Sequence, residues 1–296
     1  MLPPEPDGTP VSQDDLDVTD PRFDLVAARA EDREAALLAP REDVRHVEDL
    51  DVRGVPVRWY RPVEAPAGLV VHLHGGGFVF NDVEVHDPHV RRLANRSGLA
   101  VLSVEYRRPP EDRFPAAVDD VSTVVEWLDD GGLATLRLPA DVPVFGHGDS
   151  AGANLALVAA LRHPGRFAGL VLIYPFLDPT LAGASYEEAT EGFDAAEARW
   201  YWEQYAGSPD DLTHPDLAPL LSDGLAGLPA TLVATAENDP CRDDGETLVT
   251  RLADLGVEVV GTRYLGVVHG FWRRPEEYDA AEVLMGQVAG FLTRRT

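Results

Sequence analysis

Lysine is absent from the chain, so all 25 basic residues are arginine. The simplest reading is a base-composition bias of the source genome; a surface adapted to high salt is the other. Cysteine occurs once, at Cys241, which excludes an internal disulfide. No run of about 18 apolar residues occurs, so no membrane-spanning helix is expected. Positive charge is scarce: 51 acidic residues against 25 basic ones leave a net charge of −26. Such a surface repels phosphate backbones and anionic lipid, so neither nucleic acid nor a membrane is an expected partner. The opening residues, Met1 to Asp7, are acidic and proline-rich and lack the basic segment and apolar run of a secretion signal. A cytoplasmic location is therefore expected.

What remains is an ordinary globular composition, 45% hydrophobic and 26% charged, which excludes a largely disordered chain. Its 296 residues can bury about three quarters of their unfolded surface in a core. Residues 1–20 read as a poorly ordered lead. Residues 21–39 read as a helix with an apolar stripe of Phe23, Val26, Ala27, Ala30, Leu37 and Leu38. Two strands follow around Gly54. Short apolar runs then alternate with helical stretches. The runs are Leu69–Leu73, Ala100–Val104, Val142–Phe145, Leu170–Tyr174, Thr231–Ala236 and Val257–Tyr264. The helices are expected near 88–97, 115–129, 151–162, 243–255 and 276–293. This alternation predicts an α/β fold with a mostly parallel sheet. Residues 178–229 break the rhythm. They are too long for a strand–helix connection and hold one expected helix, Ala195–Tyr205. An insertion at the carboxyl end of the sheet would act as a lid.

Three segments carry chemistry. Gly148-Asp149-Ser150-Ala151-Gly152 follows a strand and opens a helix, the context of a G-x-S-x-G nucleophile elbow. Its glycines permit a sharp turn that presents the Ser150 hydroxyl at a helix N-terminus. His74-Gly75-Gly76-Gly77-Phe78 follows an earlier strand. Acyl chemistry on serine creates an oxyanion that needs fixed N–H donors, and a glycine run can turn its amides into the site beside that of Ala151. Asp239 and His269 each follow a later strand, giving the chain order Ser, Asp, His of the α/β-hydrolases. His269 can take the serine proton and Asp239 can orient the imidazole. Glu237 competes for that role; Asp239 is preferred because Pro240 sets a turn beside it.

The remaining histidines show no ligand spacing, so neither a metal nor a cofactor is expected. His72 and His147 read as packed residues, and Cys241 as a buried inert thiol. The expected pocket walls are Phe80, Trp200, Trp202, Tyr205 and the segment after Pro175.

With these motifs in place, the chain resembles the bacterial hormone-sensitive-lipase-like esterases of the α/β-hydrolase superfamily. Supporting stretches are Glu105-Tyr106-Arg107, Phe114 to Asp120, Asp239-Pro240 and His269-Gly270-Phe271. Arg108-Pro109 and Cys241 depart from the family pattern. The resemblance implies an α/β-hydrolase sheet of about eight strands, residues 43–177 and 230–296, under a helical cap from residues 1–42 and 178–229. It implies the triad Ser150, Asp239 and His269. It also implies oxyanion donors at Gly76, Gly77 and Ala151, with His74 and Gly75 beside the substrate. The expected activity is hydrolysis of short- to medium-chain acyl esters without cofactor. An amidase, deacetylase or acyltransferase on the same triad is the alternative, and a non-catalytic binding protein a more distant one. The expected partner is a small ester. If the chain pairs with a second copy, residues 257–264 and 276–293 are the expected homodimer contact.

Overall fold

The computed structural model describes residues 12–13, 16–189 and 193–296. Most of the lead at residues 1–20 therefore lies outside the described residues. Eight strands form one sheet: β1 (His46–Val52), β2 (Val55–Arg61), β3 (Leu69–Leu73), β4 (Ala100–Val104), β5 (Val144–Asp149), β6 (Gly169–Ile173), β7 (Thr231–Asn238) and β8 (Val259–Val268). Their order is β1-β2-β4-β3-β5-β6-β7-β8. β1 and β2 form an antiparallel hairpin, and β2 pairs antiparallel with β4. All later pairings are parallel. The hairpin turn is Arg53-Gly54, both at positive φ (56° and 92°), as a two-residue turn between twisted strands requires.

The principal helices are α1 (Leu25–Leu38), α2 (Val83–Ser97), α3 (Ala116–Trp127), α4 (Ala151–Arg162), α5 (Ala195–Tyr205), α6 (Arg242–Asp254) and α7 (Asp279–Thr293). Side chains alternate across the sheet with period two. Leu69, Val71 and Leu73 pack with α3, α4 and α6 on one face. Val70, Phe145, Val171 and Ile173 pack with α2 and α7 on the other. Strands covered on both sides bury every residue, as β3, β4, β5 and β6 do.

Some elements differ from the sequence reading. β5 runs through Gly146-His147-Gly148-Asp149, a polar stretch that pairs with strands on both sides and stops at the residue before Ser150. α2 begins at Val83, with Asp82 accepting the Val85 N–H at 2.8 Å, and carries Pro88 inside it. Half of the apolar stripe expected for residues 21–39 faces outward: Val26, Leu37 and Leu38 are exposed, while Phe23 meets Phe80 and Trp200 and the buried residues are Ala28 and Ala36. What ties α1 down is polar. Arg29 donates to the Val79 carbonyl at 2.9 Å and to the Pro109 carbonyl, and pairs with Glu111.

β3 is the switch point of the sheet. The chain steps from it to β4 on one side and later to β5 on the other. The crevice beyond the carboxyl ends of two such strands is where α/β sheets place ligands. Here β3 leads into His74-Gly75-Gly76-Gly77 and β5 into Ser150.

Candidate active site

Ser150 is the first residue beyond β5 and the N-cap of α4, at φ 54° and ψ −121°. A non-glycine residue at that φ is strained, and the strain is held by its surroundings. The Ser150 N–H donates to the Ile173 carbonyl at 2.8 Å. A Cβ on Gly152 would overlap the Leu73 carbonyl, and one on Gly148 the Gly152 carbonyl. The elbow therefore packs its backbone directly against the end of β3. An N-cap serine ordinarily spends its hydroxyl on the helix N–H groups. Ser150 makes no such bond. Its Oγ lies 2.9 Å from His269 Nε2.

His269 follows β8, and its Nδ1 lies 2.9 and 3.0 Å from Asp239 Oδ2 and Oδ1. A carboxylate only accepts, so this contact places the imidazole proton on Nδ1 and leaves Nε2 as acceptor for the serine hydroxyl. Asp239 is fully buried and also accepts the Cys241 N–H at 2.8 Å. The β7–β8 register slips between Ala236 and Asn238, which re-aims the chain at this point. Glu237, the competing acid, instead accepts the Gly266 N–H at 2.8 Å.

The glycine loop arches over the same spot. The Gly75 N–H donates to Asp149 Oδ1 at 3.0 Å, and the Gly75 carbonyl accepts from Asn81 Nδ2 at 3.1 Å. Arg108, one of the departures from the family pattern, hydrogen-bonds the Asn81 carbonyl and so braces this link. The Gly76 carbonyl accepts from the Val79 and Phe80 N–H groups at 2.9 and 2.7 Å. The carbonyls of Gly75 and Gly76 are thus engaged. The N–H groups of Gly76, Gly77 and Ala151 have no acceptor among the described residues. Gly76 and Gly77 sit at φ 119° and 57°, and a Cβ on Gly77 would strike the ring of Tyr201.

A cavity of about 120 Å³ opens beside Ser150 and His269, lined by Gly76, Gly77, Phe176, Phe193 and Tyr201 among others. Phe176 belongs to the segment after Pro175, as expected. The other expected walls are elsewhere. Trp202 is buried and stacks on Phe176 with ring centroids 4.3 Å apart. Tyr205 is buried and stacks on Phe78 at 3.8 Å. Phe80 and Trp200 meet each other and Phe23 farther out. His74 is buried and stacks on Tyr106, whose hydroxyl donates to its carbonyl at 2.7 Å. Gly75 is pinned against Asp149. None of these six residues lines the cavity. Tyr201, Phe193 and Tyr174 do, and sequence reasoning missed them.

Beneath the glycine loop lies a cluster the spacing did not reveal. His72, His74, His86, His89 and His147 meet one another and Trp272. Strand register puts His72 opposite His147, with Nδ1 atoms 3.0 Å apart. Burial pushes every one of these imidazoles down, His74, His89 and His147 to about 3. Ligand atoms of His72, His86 and Asp149 lie within 4.8 Å of one another, so these three could converge on a metal, contrary to the sequence reading. Metal bonds of about 2.0–2.2 Å would require that set to contract. The Arg273 guanidinium already faces Asp149 at 3.7 Å, where a cation would compete with it. Burial raises the Asp149 carboxyl, opposed by Arg273. Cys241 is buried, its thiol pushed well up by burial, as expected of an inert cysteine.

A family model described as the alpha/beta hydrolase fold matches residues 70–273. The chain belongs to the α/β-hydrolase family. It is 31% identical to an arylesterase of Saccharolobus solfataricus over 262 residues, 85% of each chain. It is 32% identical to an ethyl acetate hydrolase of Pseudomonas putida over 277 residues, 86% of this chain and 85% of that one. Among solved structures, an esterase of Pyrobaculum calidifontis superposes with a TM-score of 0.85 at 35% identity, covering 92% of this chain and 93% of that one. The resemblance to hormone-sensitive-lipase-like esterases therefore holds, and this α/β-hydrolase is a carboxylic ester hydrolase of the serine type. Among the described residues, no helix is long and apolar enough to cross a membrane.

Proposed function

We propose that this hydrolase cleaves short-chain acyl esters through Ser150, His269 and Asp239. The observation that carries the reading is the unbroken relay from Asp239 through His269 to Ser150, each contact at 2.9–3.0 Å. His269 takes the proton as Ser150 Oγ attacks the ester carbonyl. The free N–H groups of Gly76, Gly77 and Ala151 hold the oxyanion. His269 returns the proton to the leaving alkoxide, then activates the water that hydrolyses the acyl-enzyme. Asp239 keeps the imidazole in the productive tautomer. The acyl chain enters the aromatic cavity of about 120 Å³, whose size favours few carbons. The Pseudomonas putida relative, by name an ethyl acetate hydrolase, points the same way.

In this reading the described parts of residues 1–42 and 178–229 form a two-part cap over a core of residues 43–177 and 230–296. Contacts of Phe23 with Trp200, and of Tyr201 with Gly77, join the two parts to each other and to the site.

A panel of p-nitrophenyl esters from acetate to laurate tests the substrate range. We expect kcat/KM to peak at two to six carbons or so and to fall about 100-fold by laurate, as methylenes lose their pocket. A flat profile would overturn the assignment of the small cavity to the acyl chain. Labelling of Ser150 by a fluorophosphonate, read by mass spectrometry, tests the nucleophile. Gly77→Ala forces the loop and the Tyr201 ring apart, so kcat should fall about 100-fold, the scale of one lost oxyanion donor, with the circular dichroism spectrum retained.

A further inference from the structure

A second and larger cavity, about 660 Å³, meets the active site at His269 and Arg273, which line both spaces. It runs between α1, α2 and the loop after His269, and three arginines border it: Arg92, Arg273 and Arg274. Two of the three have donors to spare. Arg92 is 7% exposed; its Nη2 donates to Glu282 at 2.8 Å, while Nε and Nη1 are buried without a partner. Arg273 Nε is likewise buried without a hydrogen bond, 3.7 Å from its ion-pair partner Asp149, while the guanidinium also bonds the Tyr174 side chain. Arg274 is already engaged, by Glu277 at 3.0 Å and the His269 carbonyl at 3.2 Å. Two acids also border the cleft, the half-buried Asp32 and the exposed Glu276.

Buried guanidinium nitrogens without acceptors are costly, and an oxyanion is the ligand that best satisfies them. Position then decides which part of the substrate carries it. His269 protonates the leaving oxygen, so the alcohol must leave past His269, and the acyl chain occupies the small aromatic cavity. The geometry points to substrates whose leaving alcohol bears an anionic group, a carboxylate or a phosphate, held by Arg92 and Arg273. This rests on the esterase reading above and names its substrate class. The reaction is ordinary hydrolysis. The acyl C–O bond breaks, the anionic alcohol departs with the proton from His269, and water supplies the OH of the released acid.

The test is a comparison of matched butyrates with the purified protein at 0.15 M salt or thereabouts, where the bulk negative charge is screened beyond about 8 Å. The esters are propyl butyrate, 3-butyryloxypropanoate and 2-butyryloxyethyl phosphate, with monopropyl glutarate placing the charge on the acyl side instead. We expect kcat/KM for one or both alcohol-side anions to exceed that for propyl butyrate about ten-fold or more. Which of the two is preferred separates carboxylate from phosphate. In Arg92→Gln the ratio should fall to about one, and Arg92→Lys should keep part of it. The ratio is the readout, so a variant that folds poorly loses activity on both esters and leaves it unmoved. Equal or slower turnover of both anions by the unaltered protein, with propyl butyrate cleaved, would overturn this inference and spare the esterase reading. Preference for monopropyl glutarate would overturn it as well. No turnover of any ester, with no fluorophosphonate labelling, would overturn both.

Discussion

Removing the Ser150 hydroxyl or the His269 imidazole should each cost about a million-fold in kcat, and removing both should cost no more than either alone. The reason is geometric. Ser150 Oγ has one partner poised to take its proton, His269 Nε2 at 2.9 Å, and no helix-cap bond to fall back on. Without the imidazole the hydroxyl stays protonated and inert; without the hydroxyl the imidazole has nothing to activate. Asp239→Asn should be milder, about ten-thousand-fold, because an amide cannot accept the Nδ1 proton from both oxygens and lets the ring adopt the wrong tautomer. Steady-state kinetics on p-nitrophenyl butyrate, with Ser150→Ala, His269→Ala and the double variant, check this. Additive losses would show that the two groups act in separate steps and would sink the relay.

Stability should fall on mild acidification, through the histidine cluster rather than the triad. His74, His89 and His147 have folded-state values of about 3, against about 6.5 in an unfolded chain. Between those limits the unfolded chain binds more protons, so stability is full above pH 6.5 and is lost as pH falls toward 3. At pH 5 each residue costs about 2 kcal/mol, about 6 kcal/mol for the three. His72 and His86, pushed well down by burial, act in the same direction. Asp244 opposes them. Burial raises it to about 8, so from pH 7 to pH 5 it returns about 2.5 kcal/mol. The expected net result is a loss of several kcal/mol between pH 7 and pH 5, measured by urea denaturation at each pH. His147→Asn should flatten that slope by about one proton. Equal stability at pH 5 and pH 7 would mean that the cluster takes up protons in the folded state.

The reacting groups were legible because each sits in a local context that physics constrains. A strand, a tight glycine turn and a helix can place a serine in only a few ways, and Ser150 is where that context puts it. The edges of the pocket were not legible for a different reason. α5 offers Trp200, Tyr201, Trp202 and Tyr205, and the reading chose the first, third and fourth. Yet Ala198, Trp202 and Tyr205 fall at i, i+4 and i+7, a core stripe, and all three are buried. Helical spacing alone would have assigned Trp202 and Tyr205 to packing; Tyr201, at i+3, shares that face, so spacing does not single it out for the site. α1 misled through the opposite error, since its large apolar residues Val26, Leu37 and Leu38 face outward and Arg29 anchors it. The histidine cluster depends on the pairing of β3 with β5, a long-range fact that no local pattern carries.

The contact between Tyr201 and Gly77 couples the inserted helix to the glycine loop. The phenol ring rests where a Cβ on Gly77 would be, so the inserted helix is a buttress for the amide clamp as well as a wall. Any substitution that displaces that helix would therefore also disturb the amides of Gly76 and Gly77, at a distance from the reacting groups.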